Sequence, residues 1–119
     1  MGSDEIQYYI LSPDHKPVPV DLLTWGAWFE QFENRRVALD EGEDGKGKWR
    51  LSSVCLGLDH SFSDNGPPIL FETMLFREDT EADDHNDGWR FATWDEIMSF
   101  HRRKAAELRG IRLVSGGAA

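Results

Sequence analysis

Three side chains in this sequence are spaced so that a fold could bring them to one point: His60 in "GLDHSF", Glu72 in "ILFETMLF" and His101 in "IMSFHRRK". Two imidazoles and a carboxylate suit a divalent metal or acid-base chemistry. Asp59 stands beside His60, and a second carboxylate brought close to Glu72 would raise the pKa of one of the two by mutual repulsion. Three elements decide the outcome. Asp59 and His60 point to opposite faces of a regular strand, so they act together only where that strand ends or bulges. Glu72 shares a strand face with Leu70, Met74 and Phe76, where an isolated carboxylate is costly. Hairpin register then chooses between two arrangements. If Glu72 lies opposite His60, it shares a face with His60, Leu58 and Met74, within reach of His101. If it lies opposite Asp59, the two carboxylates share the face of Gly57 and Cys55. Both registers are open in the sequence. The candidate pocket is therefore Asp59, His60, Glu72 and His101, with Glu72 expected to meet at least one histidine. His60, Glu72 and His101 are the ligands if a divalent metal binds, and no other cofactor is expected. The bland alternative is that "LDH" anchors a strand end and its loop.

The elements that would position these groups follow from pattern. "QYYIL" (Gln7 to Leu11) reads as a short aromatic strand stopped by "SPDHKP". Asp21 is placed to cap a helix over "LLTWGAWFEQFE", whose spacing puts Leu22, Trp25, Phe29 and Phe32 on one core stripe with Trp28 at its edge. "RRVALDE" (Arg35 to Glu41) and "WRLSSVCLGLDHSF" read as a hairpin joined by the turn "GEDGKGK". "PPILFETMLF" is a further strand with its prolines at the entrance, and "GWRFA" is the last. In "TWDE", Thr93 and Glu96 form a capping box, and Gly110 supplies the stop, so a second helix runs from Trp94 to Arg109. Trp94, Ile97, Met98, His101, Ala105 and Leu108 fall on its inward stripe. The expected fold is α+β: an antiparallel sheet of four or five strands with two amphipathic helices packed on it, in the order β-α-β-β-β-β-α. Residues 1–114 make one domain, followed by a flexible Gly/Ala tail at 115–119.

With 119 residues the chain has room for one two-layer core, and 39% hydrophobic with 29% charged residues is a globular composition. Cys55 is alone, so no disulfide within the chain or cysteine zinc cluster can form, and a reducing cytoplasm fits. No segment has the make-up of a signal peptide or a membrane span. The net charge of −9 disfavours direct nucleic-acid binding, which needs clustered cations. Acidic residues gather in "DEGEDG" (Asp40 to Gly45) and "REDTEADDHNDG" (Arg77 to Gly88). Such runs are ordinarily solvated loops. Read functionally, Glu43, Asp44, Asp83, Asp84 and Asp87 would present an acidic surface to a basic partner. The second run is not a calcium loop of the EF-hand type, because Trp94 occupies the position that requires a bidentate Glu. The glycine-rich turn lacks the order of a phosphate loop, and there is no nucleophile elbow.

In order along the chain, "YYIL", "PVPVDLLTWGAWFE", "RRVAL", "SSVCLGLDHSF", "GPPILFETMLF" and "TWDEIMSFH" resemble a family of small uncharacterised phage and prophage proteins over most of Tyr8 to His101. That family has no established activity, so the resemblance carries over no catalytic residue. It implies a phage or prophage origin and an accessory role in the host cytoplasm. The acidic insert before Trp89 is longer here than in the family pattern. Charge, aromatic content and the resemblance together point to a protein-binding module, with a host or phage protein as partner and an inhibitor of a host nucleic-acid-binding or defence system as one form of it. The alternative is a small-ligand or metal-binding protein, acting as a hydrolase or sequestering a signalling nucleotide, with a His/Glu/Asp pocket. Arg102 and Arg103 would hold phosphates at its rim.

Overall fold

The capping box forms as its spacing predicts. Glu96 N donates to Thr93 Oγ1 at 3.1 Å, and the Glu96 carboxylate accepts from Thr93 N at 3.2 Å. This box starts the long helix of a computed structural model that describes residues 7–59, 68–77 and 87–110. In chain order the elements are β1 (Tyr8–Leu11), β2 (Pro17–Val20), α1 (Leu22–Glu30), α2 (Phe32–Arg35), β3 (Arg36–Asp44), β4 (Gly47–Cys55), β5 (Phe71–Arg77), β6 (Asp87–Phe91) and α3 (Trp94–Leu108). The fold is α+β. Strands β3-β4-β5-β6 form an antiparallel sheet in sequential order, and β1-β2 form a separate two-stranded ribbon. The expected tail at 115–119 lies outside the described residues.

Two apolar clusters hold α3 to the four-stranded sheet. Trp49, Leu51, Leu75 and Ala105 make one, flanked by Trp89 and Leu108. Cys55, Leu70, Phe71 and Ile97 make the other, flanked by Tyr9, Leu11, Trp28, Val37, Phe91 and Trp94. The inward stripe expected for α3 is therefore present, with Ile97, His101 and Ala105 buried along it. Burial raises the Cys55 thiol to about 12, so it behaves as a small hydrophobe with no thiolate chemistry at neutral pH.

Several sequence expectations need correction. "PVPV" is a strand: β2 pairs with β1 as an edge, where Pro17 and Pro19 lose no ladder hydrogen bond. The helix expected over "LLTWGAWFEQFE" breaks at Gln31, whose backbone is extended, and the Asn34 side chain caps the freed Trp28 carbonyl at 3.0 Å. Trp25, Trp28 and Phe29 face inward as expected, but Leu22 and Phe32 of the proposed stripe are exposed. The strand expected to reach Phe62 ends at Cys55. Beyond it, Gly57 turns left-handed (φ 71°), Leu58 makes a single bridge to Tyr8, and Trp25 Nε1 donates to the Leu56 carbonyl at 3.3 Å. The ribbon is tied to α3 at its other end, where the His15 ring stacks on Trp94 with centroids 3.7 Å apart.

Gly57 occupies a position that no other residue fits. A Cβ there would stand 2.5 Å from the Tyr9 carbonyl oxygen and against the Trp25 indole, on a backbone conformation that L side chains rarely adopt. Gly57→Ala is expected to cost about 2 kcal/mol or more, from the left-handed penalty plus displacement of Trp25. A urea melt checks this; a loss under about 0.5 kcal/mol would mean the junction yields freely.

Candidate functional site

The groups that meet in the core are not the four singled out by spacing. Register pairs Ser53 with Thr73 directly across β4 and β5, and places Asp40 one step along on β3, opposite Leu51. Residues directly opposite on one face of a sheet touch, so the two hydroxyl oxygens lie 2.5 Å apart. His101 descends from α3 onto this pair. Its Nδ1 is 2.7 Å from Ser53 Oγ and its Nε2 is 2.7 Å from Asp40 Oδ2. Arg109, the C-cap of α3, donates to Asp40 Oδ1 at 2.9 Å. Thr73, Ser53, His101, Asp40 and Arg109 thus form one continuous chain of hydrogen bonds through three strands and a helix.

Proton directions follow from the partners. Ionised Asp40 can only accept, so His101 Nε2 carries a hydrogen toward it. In the neutral ring Nδ1 is then the acceptor, Ser53 donates to it, and Thr73 donates to Ser53. Burial pushes the Asp40 carboxyl up, but hydrogen bonds from Arg109 and His101, together with the Arg109 charge, outweigh burial and hold it below its ordinary value of 3.8.

A serine, a histidine and an aspartate in hydrogen-bonded sequence invite comparison with a hydrolase triad. The geometry argues against it. In such enzymes Nε2 faces the serine and Nδ1 the carboxylate; here the two nitrogens are exchanged. A nucleophile must also reach a substrate, yet Ser53 and Thr73 are 0% exposed and His101 is 3% exposed. The arrangement satisfies polar groups inside a core, where each unpaired one would cost about 1–3 kcal/mol.

Of the sequence candidates, the described ones, Asp59, Glu72 and His101, fall into separate environments. Glu72 lies opposite Val54 and Arg90, so neither register considered above occurs. Because Phe71, Thr73 and Leu75 face α3, Glu72 projects from the other face of the sheet, where Arg90 Nε donates to its Oε2 at 3.3 Å. It does not meet His101, which is spent on Ser53 and Asp40. His60 lies outside the described residues. Asp59 accepts from Ile69 N at 2.9 Å. Among the described residues no grouping of three or more His, Cys, Asp or Glu is placed to hold a metal. Of the acidic partner-binding candidates, Asp83 and Asp84 lie outside the described residues, while Glu43 and Asp87 are exposed. Asp44 is engaged instead: Arg77 binds both its oxygens at 3.1 Å, which leads the influences holding its carboxyl below the ordinary value.

Sequence reasoning passed over Asp40, Ser53 and Thr73. Their signal is alternation: Ser53 sits between Leu51 and Cys55, and Thr73 between Phe71 and Leu75, each a hydroxyl on an apolar face. No family model, no curated protein and no solved structure matches the chain.

Two outcomes test the network. His101→Ala should cost about 3–5 kcal/mol in a urea melt, from the cavity and from the Ser53 hydroxyl left without its acceptor. A cost under about 1 kcal/mol would show the chain of bonds contributes nothing. Asp40→Asn should destabilise at pH 7, and the penalty should shrink as pH falls below 3.8, because a carboxyl held below its ordinary value stabilises the fold only while ionised. A penalty unchanged down to about pH 2 would contradict the ionised role.

Proposed function

We propose that this chain is a small protein-binding module, an accessory protein of phage or prophage origin that acts on a protein of the host or phage. An inhibitor of a host nucleic-acid-binding or defence system is one form such an activity takes. The observation that carries the binding reading is the outer surface of α1. A helix with few polar side chains is ordinarily buried, and "LLTWGAWFE" is polar only at Thr24 and Glu30, yet Leu22 is 53% and Leu23 84% exposed. Val18 on β2 and Phe32 on α2 are exposed as well. Leaving one such leucine in water forgoes about 1.5–3 kcal/mol that burial would return, and two neighbouring exposed leucines on one helix mark a site of association. Support for the phage or prophage origin comes from the resemblance in ordered motifs between Tyr8 and His101. The acidic side chains Glu43 and Asp87 would add electrostatic steering toward a basic partner.

The test compares immobilised wild-type protein with a Leu22→Asp, Leu23→Asp double variant in extracts of infected and uninfected cells. Acidic residues in the first turn favour a helix, so the variant should keep the urea midpoint of the wild type. It should lose the proteins that the wild type retains. Equal retention by both would reject α1 as the binding surface, and charge reversal at Glu43 and Asp87 would then show whether the acidic side chains bind instead.

A further inference from the structure

The face of the four-stranded sheet turned away from α3 carries a feature that protein binding through α1 does not use. There, Glu41 of β3, Arg50 of β4 and Phe76 of β5 stand in one cross-strand row, with Lys48 two residues from Arg50 on the same strand face. Together with the strand segments of Gly42, Trp49 and Arg77, they line a cavity of about 450 Å³. That volume lies within the range of pockets for small organic ligands.

We propose that this cavity is a binding site for a small molecule bearing one oxyanion group, a carboxylate or a phosphate, on a flat apolar body. The placement of two cations, unpaired among the described residues, in the lining of one cavity carries the argument. Arg77, Arg90, Lys104 and Arg109 are each ion-paired to a carboxylate. Arg50 and Lys48 are not: although Glu41 and Glu43 face them across the β3–β4 ladder, no carboxylate oxygen of a described residue lies within 4.0 Å of either cation. Arg50 is instead held over the Phe76 ring, its guanidinium carbon 4.9 Å from the centroid. A guanidinium stacked on an aromatic face keeps its in-plane N–H edge free, and that edge matches the two oxygens of a carboxylate or phosphate. Lys48 supplies a second, mobile donor from the same face. Glu41 is the lining carboxylate; it disfavours ligands with several negative groups and can accept from a ligand hydroxyl or ammonium. With Arg77 committed to Asp44, the lining offers two cations against one carboxylate, on a protein whose net charge is −9. Phe76 provides the apolar contact.

Amide and arginine side-chain NMR shifts of the whole protein, titrated separately with inorganic phosphate, benzoate and phenyl phosphate, test this directly. Saturable shifts confined to the neighbourhood of Lys48, Arg50 and Phe76 are expected, with at least one of the aromatic anions binding about fivefold or more tighter than inorganic phosphate. Saturation by benzoate alone assigns the natural ligand to the carboxylates, and saturation by phenyl phosphate alone assigns it to the phosphate esters. Arg50→Gln should weaken binding about tenfold or more. Arg90→Gln removes the same charge from the same sheet face outside the cavity, and should change affinity less than about twofold. The proposal is overturned by shifts that stay linear to about 50 mM of every probe, or by equal loss in the two variants, which would mean general charge screening.

Discussion

Everything on the inner side of the sheet depends on one match of pitch. Ile97, His101 and Ala105 succeed one another at intervals of four along α3, a rise of about 6 Å per step. The sheet rows beneath them, Cys55 with Phe71, Ser53 with Thr73, and Leu51 with Leu75, succeed at intervals of two, about 6.8 Å per step. Helix and strands therefore stay in step for three rows. The outer rows are apolar and the middle row is polar, so His101 meets Ser53 while Ile97 and Ala105 meet hydrocarbon. A shift of α3 by one turn would set the imidazole against leucine or phenylalanine and leave the Ser53 hydroxyl without its acceptor. The buried hydrogen bonds thus select one docking of the helix among several that apolar burial alone would allow.

The ends of this ladder are tied independently. At the C-terminal end of α3, Arg109 holds Asp40 and so joins the helix to an edge strand that otherwise pairs only with β4. At the N-terminal end, the stack of His15 on Trp94 and the edge contact of Trp94 with Phe71 join the ribbon to both helix and sheet. Trp25, donating to Leu56 over Gly57, closes the remaining corner. Each tie uses a directional contact of a polar or aromatic group where the apolar clusters thin out.

This economy leaves two surfaces whose composition the fold does not explain. The polar residues that alternation buries are spent on one another, so the chemistry suggested by a Ser-His-Asp sequence is consumed by the core. What remains available is outside: leucines on α1 that no described element covers, and a cavity on the far face where two cations have no ion-pair partner among the described residues. The first suits a macromolecular partner and the second a small anion, and they sit on different elements.

Local chemistry was legible in the sequence wherever a short segment decides its own state. The capping box at Thr93, the stop at Gly110, the inward stripe of α3 and the hairpin of β3 and β4 all depend on neighbours close in the chain. One local reading misled because a competing signal was equally local: Gln31 interrupts a helix that its flanking aromatics would continue, while "PVPV" adds an edge strand to the expected order. The candidate site was less legible. "ILFETMLF" is apolar on both faces, so nothing within the strand says whether Glu72 or Thr73 turns inward. That choice was made by α3, which covers the face of Phe71, Thr73 and Leu75, and by a register pairing Glu72 with Val54 and Arg90. A strand presents both faces equally until another layer buries one, and a one-residue change of register exchanges them. The sequence by itself therefore determined that a histidine would lie inside this protein; only the tertiary structure decided that a serine and an aspartate, not a glutamate, would meet it.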